Sequence, residues 1–109
     1  MNAIIEDNKE QLINYCKKYH VIRMFAFGSV TGDKFREESD IDLLISFSEN
    51  LPLLDYADNF FDLFYNLEAL FERKIDLVTE KSLSNPYLIE SINENKELIY
   101  ESRSEKISA

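Results

Sequence analysis

A Gly-Ser pair at positions 28 and 29 is followed, ten residues later, by Asp40-Ile41-Asp42. Asp42 interrupts the apolar run Ile41, Leu43, Leu44, Ile45, where an unpaired buried charge would be costly. Side chains alternate along a strand, so Asp40 and Asp42 share one face while Ile41, Leu43, Ile45 and Phe47 share the other. A second run, Lys74-Ile75-Asp76-Leu77-Val78-Thr79, repeats the pattern, with Asp76 near its start. If the two strands are neighbours, three carboxylates converge. Two such charges about 5 Å apart repel by roughly 3 kcal/mol at an effective dielectric near 20, a conflict that a divalent cation removes. With no cluster of His or Cys for a softer metal, the expected ion is Mg²⁺, held by Asp40, Asp42 and Asp76. Two ions about 4 Å apart would clamp the attacking and leaving oxygens of a displacement at phosphorus.

The Gly-Ser pair supplies a second half to this chemistry. Phe25-Ala26-Phe27 reads as a strand end, and Gly28 permits a turn closed to most residues. A short helix beginning near Ser29 or Val30 would aim free backbone N–H groups and the Ser29 hydroxyl at a nucleotide's phosphates. A Gly-Ser pair alone is more often an ordinary turn, and Asp76 alone would be structural. The conjunction of the three pieces, in order and in matched strand positions, points to nucleotidyl transfer.

These pieces need a scaffold, and the hydrophobic pattern describes one. Residues 4–19 read as one amphipathic helix with Ile5, Leu12, Cys16 and Tyr19 on one side, followed by a strand over 21–27. A polar loop over 31–39 leads to a strand over 41–47, and Ser48-Glu49-Asn50 ends it. Pro52 suits the first turn of a helix over 53–73, in which Leu53, Ala57, Phe60, Phe64, Leu67 and Phe71 form a core stripe. Leu54, Tyr56, Phe61, Leu63 and Leu70 lie off that stripe. The surplus fits either a wide core face or a surface where Tyr56, Phe61 and Leu63 meet a partner or a second copy of the chain. After the strand around Asp76, residues 83–95 read as a helix with Leu88, Ile89 and Ile92 inward, and 98–100 as a short edge strand. The expected fold is a small mixed α/β domain: a twisted sheet of three or four strands with helices packed over it, spanning 1–101. Residues 102–109 form a polar tail without periodicity.

The stretch GSVTGDKFREESDID resembles the signature of the minimal nucleotidyltransferases of the DNA polymerase beta superfamily, Gly-Ser, ten residues, Asp-x-Asp. SDIDLLISF, KIDLVT and NPYLIESINENKELIY look like the same family, so the resemblance covers residues 10–101. It implies the polymerase beta-like fold, phosphate contact by Gly28 and Ser29, and Mg²⁺ coordination by the three aspartates. Asp76 is implied as acceptor of the attacking hydroxyl's proton. Where the family often carries Ala-Arg-Gly, this chain has Thr31-Gly32-Asp33, which leaves Lys34 or Arg36 as the basic residue able to reach the triphosphate. Stand-alone proteins of this type resemble the antitoxins that work beside a HEPN ribonuclease toxin. The implied reaction is transfer of AMP from ATP to a toxin tyrosine. An antitoxin that masks the toxin without catalysis and a nucleotidyltransferase acting on small molecules are the alternatives.

Composition narrows the partners. With 12 basic and 21 acidic residues the net charge is −9, a field that repels nucleic-acid backbones and attracts a basic protein. ATP arrives with Mg²⁺ and is held locally. A chain of 109 residues has room for one small core and no acceptor-binding domain, so the acceptor must dock unaided. The single Cys16 cannot form an internal disulfide and reads as a small core hydrophobe. His20, alone beside Tyr19, reads as structural. No segment approaches the roughly 20 apolar residues of a membrane span, and MNAIIEDNKE lacks a secretory pattern, so the expected location is cytoplasmic.

Overall fold

The structure, a computed structural model, describes residues 2–102. Four strands, β1 (Val21–Phe27), β2 (Ile41–Phe47), β3 (Ile75–Thr79) and β4 (Glu97–Glu101), form one sheet in the order β3-β2-β1-β4. β1 runs antiparallel to both β2 and β4, whereas β2 and β3 are parallel. Parallel neighbours need a crossover, and the helix α3 (Leu53–Phe71) provides it. The other helices are α1 (Ala3–Asp7), α2 (Lys9–Lys18) and α4 (Pro86–Asn95). The sheet of three or four strands flanked by helices is thus the fold found. Among the described residues no helix is long and apolar enough to cross a membrane.

Both faces of the sheet are covered, unequally. On one, Ile41, Leu43 and Ile45 of β2 pack with Ile5, Leu12 and Cys16 of the N-terminal helices and Leu63, Leu67 and Phe71 of α3. On the other, Phe27 and Leu44 pack with Ile92 of α4, flanked by Phe25, Val78 and Leu83. Asp42 shares this thinner face with Leu44, because strand side chains alternate. Placing the carboxylates on the lightly covered side leaves them reachable by solvent, while the large apolar cluster behind β2 fixes the strand.

Three local departures from the sequence pattern have physical causes. The helix expected over 4–19 is broken at Asn8 (φ −113°, ψ 10°), whose side chain donates to the Ile4 carbonyl at 2.8 Å and competes with the helical ladder. Ile5, Leu12, Cys16 and Tyr19 are nevertheless all buried. The C-terminal helix starts at Pro86 rather than 83, because the Asn85 side chain accepts from the N–H groups of Tyr87 and Leu88 and fixes the first turn there. Of its three expected inward residues, Ile92 is buried, Ile89 half-buried, and Leu88 exposed.

The third departure concerns α3 and corrects the proposed partner surface. Its core line runs through Leu63, Leu67 and Phe71, with Tyr56, Phe60, Phe64 and Leu70 half-buried beside them. Leu63 is fully buried and cannot meet a partner, and Tyr56 packs edge-on against Phe47 at 4.8 Å. Phe61 alone of the three candidates is exposed. Leu53 and Ala57, expected in the core stripe, are exposed, Leu53 at 86%. A helix with apolar residues on several lines fits more than one rotation, and the sheet selected the line through Leu63.

The described chain ends at Ser102, whose N–H donates to the Ile22 carbonyl at 2.8 Å. From residue 103 the expected polar tail lies outside the described residues. His20, at φ 65°, ends α2 in the left-handed region, and its carbonyl accepts from Ser48 N–H at 2.8 Å. Cys16 is buried against Met24, and burial pushes its thiol up to about 12. Native protein should therefore resist alkylation at Cys16 and react only on denaturation, which labelling followed by mass spectrometry would read.

Candidate active site

The end of β1 and the start of β2 meet where the motif residues lie. Phe27 pairs with Asp42, and the chain then turns at Gly28, whose φ of 72° suits glycine. Residues Gly28–Thr31 form one 3-10 turn. It is anchored below by Val30, 2% exposed, and closed by Thr31 Oγ1 donating to the Gly28 carbonyl at 2.7 Å. The short helical turn expected near Ser29 is thus present, with Ser29 half-buried on it. A Cβ added at Gly28 would collide with Asp42 Oδ2. The missing side chain lets the turn lie directly against the carboxylate.

The second junction is the parallel pairing of β2 with β3. Asp42 is opposite Asp76, between the buried pairs Ile41 with Ile75 and Leu43 with Leu77. This register places both carboxylates on one face at one end of the two strands. Asp40 stands just before β2, and Ile41 N–H donates to the Lys74 carbonyl at 3.1 Å, closing the mouth of the strand pair. Asp40 and Asp42 are half-buried and Asp76 is exposed. Burial, and after it the negative charges of Asp76 and Asp40, together raise the Asp42 carboxyl to about 6. Asp42 therefore feels the charge of both other aspartates.

Their side chains do not form a finished cage. Among the described residues no group of three or more His, Cys, Asp or Glu is arranged so that it could hold a metal ion. Uncompensated carboxylates repel, and Asp76, exposed on the edge strand, is free to point away. The donor chemistry and register still fit a hard divalent cation. Oxygen ligands on one face, a carboxyl raised by burial and by its acidic neighbours, and a backbone recess at Gly28 are what such an ion with its phosphate ligand would meet.

The basic candidates separate. Lys34 is exposed on the loop after the turn. Arg36 lines a shallow depression of about 580 Å³ with Ile4, Phe35, Glu37, Glu38 and Arg73, among residues that pack toward α1, whereas the carboxylates lie on the α4 face. A cavity of about 490 Å³ lies at the other end of β2, lined by Arg23, Ser46, Phe47, Tyr56 and Glu80 among others. Arg23 and Glu80 pair there at 3.3 Å. Burial alone would push the Glu80 carboxyl up, but hydrogen bonds from Ser46 and Arg23 hold it below its ordinary value.

Residues 10–105 match the family described as Polymerase beta, Nucleotidyltransferase. The chain belongs to this nucleotidyltransferase family. Among its relatives is a Methanocaldococcus jannaschii protein provisionally named a protein adenylyltransferase, 40% identical over an 85-residue alignment that covers 76% of this chain and 79% of that one. A solved structure provisionally described as a minimal nucleotidyltransferase superposes with a TM-score of 0.69 at 33% identity, covering 89% of this chain and 95% of that one. The fold also matches a chain from the complex of tri-AMPylated Shewanella oneidensis HEPN toxin with MNT antitoxin, with a TM-score of 0.63 at 16% identity, covering 93% and 76%.

For a nucleotidyltransferase one residue escaped the sequence reading. Arg73, between α3 and β3, donates from Nη1 to the carbonyls of Arg36 at 3.0 Å and Ser39 at 2.9 Å. The available signal was an arginine three positions before Asp76, in a segment otherwise read as a helix end.

Proposed function

We propose that this chain transfers AMP from ATP to a tyrosine hydroxyl of a cognate HEPN ribonuclease toxin in the cytoplasm and thereby silences it. The observation that carries the reading is the pairing of Asp42 with Asp76 beside the side-chain-free recess at Gly28. Family membership and a structural relative found with an AMPylated HEPN toxin support the reaction and the acceptor class.

In this reading Gly28 and Ser29 present backbone N–H groups and a hydroxyl to the triphosphate, with Lys34 the exposed basic residue nearest in sequence. Asp40, Asp42 and Asp76 would hold Mg²⁺, as two ions in the full site. When bound, the cation supplies neutralisation of the triphosphate and of the clustered carboxylates. Asp76, the most exposed of the three, takes the proton as the tyrosine oxygen bonds to the α-phosphorus and pyrophosphate leaves. The remaining contribution is positioning: β2 and β3 fix the carboxylates and the Gly28 turn fixes the phosphates. The net charge of −9 steers a basic, RNA-binding partner toward the acidic surface.

The test is intact-mass analysis of the toxin after incubation with this chain, ATP and Mg²⁺. AMP-sized increments that vanish in the Asp40→Ala, Asp42→Ala double variant are expected. A toxin that is silenced but unmodified would instead establish masking. Transfer of label from ATP to small molecules alone would place the chain with the small-molecule enzymes.

A further inference from the structure

We propose that Arg73 is a positioning residue: it ties the loop that delivers Asp40 to the segment that delivers Asp76, and so sets the spacing between the two outer carboxylates. The proposal rests on the nucleotidyl-transfer reading of the site and adds a residue to it.

The geometry begins with the connection after α3. Glu72 caps that helix in the left-handed region at φ 51°, so the chain reverses and Arg73 faces the loop ahead of β2. From there its Nη1 reaches two carbonyls, Arg36 at 3.0 Å and Ser39 at 2.9 Å, and its guanidinium lies 4.5 Å from the centre of the Phe35 ring. The loop segment it holds is itself closed. Ser39 N–H donates to the Arg36 carbonyl at 3.1 Å, and Arg36 N–H donates to Ser39 Oγ at 3.0 Å. The residue after Ser39 is Asp40, and the next, Ile41, donates its N–H to the Lys74 carbonyl. Asp40 is therefore bracketed by two ties, both to the pair Arg73-Lys74 just ahead of Asp76.

The bracketing matters because everything else about Asp40 favours escape. It ends a loop in which Gly32, Asp33, Lys34, Arg36, Glu37 and Glu38 are all exposed. Its carboxylate and that of Asp42 repel each other. Without the Arg73 tie, the loop end is held to β3 by the Ile41 amide and the strand pairing that begins there. Arginine suits the place, since one rigid planar group bonds two carbonyls and lies on an aromatic ring together, whereas a lysine ammonium cannot reproduce the stacking. Both of these hydrogen bonds go to neutral carbonyls, so the tie holds the loop backbone without engaging any of the three carboxylates.

The experiment compares wild type with Arg73→Gln and Arg73→Lys. Amide hydrogen exchange is measured first, on protein free of metal and nucleotide, so that the result does not depend on any activity. In Arg73→Gln the amides of Arg36, Ser39 and Ile41 should exchange about 10-fold faster or more, while β1 and the centre of α3 keep their wild-type protection. Arg73→Lys should fall between the two. AMP transfer is measured second: kcat should drop on the order of 10- to 100-fold in Arg73→Gln with KM for ATP within about 3-fold, and Arg73→Lys should recover part of the loss. Unchanged exchange at 36–41, or exchange accelerated uniformly through β1 and β3, would overturn the proposal. So would a KM change with kcat intact. Wild-type chain that transfers no AMP at all, yet shows the local exchange pattern, would fail the functional reading while leaving the tie itself standing.

Discussion

Asp42→Asn should abolish nucleotidyl transfer and, in the same protein, make the metal-free fold more stable. The two effects have one source. Burial first, then the charges of Asp76 and Asp40, together raise the Asp42 carboxyl to about 6. In the unfolded chain the same group titrates near 3.9, so between about pH 4 and pH 6 the folded state binds the proton more tightly. Stability therefore declines as pH rises through that window. Above it, ionised Asp42 is a standing cost, on the order of 1 kcal/mol after the solvent screening due to a half-exposed group. Asparagine keeps the shape and removes the charge. Thermal melts of metal-free protein at pH 5 and pH 7.5 should show wild type losing stability at the higher pH and Asp42→Asn losing less. Adding Mg²⁺ at pH 7.5 should stabilise wild type and leave the variant almost unmoved. The rate of AMP transfer should fall on the order of 10³-fold, since the proposed site loses one of its charged groups. A variant that melts lower than wild type at pH 7.5 without metal would refute the claim that Asp42 is held at a cost.

That cost explains why the site was legible before the fold was. An aspartate inside Ile41, Leu43, Leu44, Ile45 contradicts the packing rule that governs its neighbours, and such contradictions are where function shows. The strands, their alternation and the neighbour relation of Asp42 and Asp76 follow from the same period-two pattern, and the register bears them out. Illegible positions were those decided by choices between equivalent alternatives. The apolar residues of α3 lie on several lines, and only contact with the sheet selects Leu63 over Leu53 for burial. Asn8 and Asn85 act through side-chain hydrogen bonds to nearby backbone, which override the periodicity at the ends of helices. Arg73 was invisible for a different reason: its partners are backbone carbonyls, and a carbonyl leaves no trace in a residue type. The closed ligand set was also beyond the pattern, because alternation fixes the face a carboxylate occupies but not its rotamer.

Gly28→Ala should be as damaging as the loss of an aspartate, although it adds a single methyl group. At φ 72° alanine costs about 1 kcal/mol relative to glycine, because its Cβ crowds the following carbonyl. The larger penalty is local: the new Cβ would collide with Asp42 Oδ2, and both groups are held, Gly28 by the closed 3-10 turn and Asp42 by pairing on both sides of β2. Either the carboxylate swings off the face or the turn opens, and each removes half of the proposed site. The total destabilisation should be about 1–3 kcal/mol by denaturant titration, with AMP transfer lost by at least 10²-fold. Gly32→Ala is the matched control. There φ is −121°, and the only atom an added Cβ would meet is the Ser29 carbonyl oxygen at 4.0 Å, so stability should change by less than about 0.5 kcal/mol. Combining Gly28→Ala with Asp42→Ala isolates the collision. With the carboxylate gone, the cost of the Gly28 change should shrink to the backbone strain alone, leaving a coupling of about 1 kcal/mol or more between the two positions. Strict additivity would mean that the glycine serves only its own φ. Coupling would show that the Gly28 turn and the Asp42 carboxylate occupy one space, and that a side chain at position 28 is excluded by Asp42 itself.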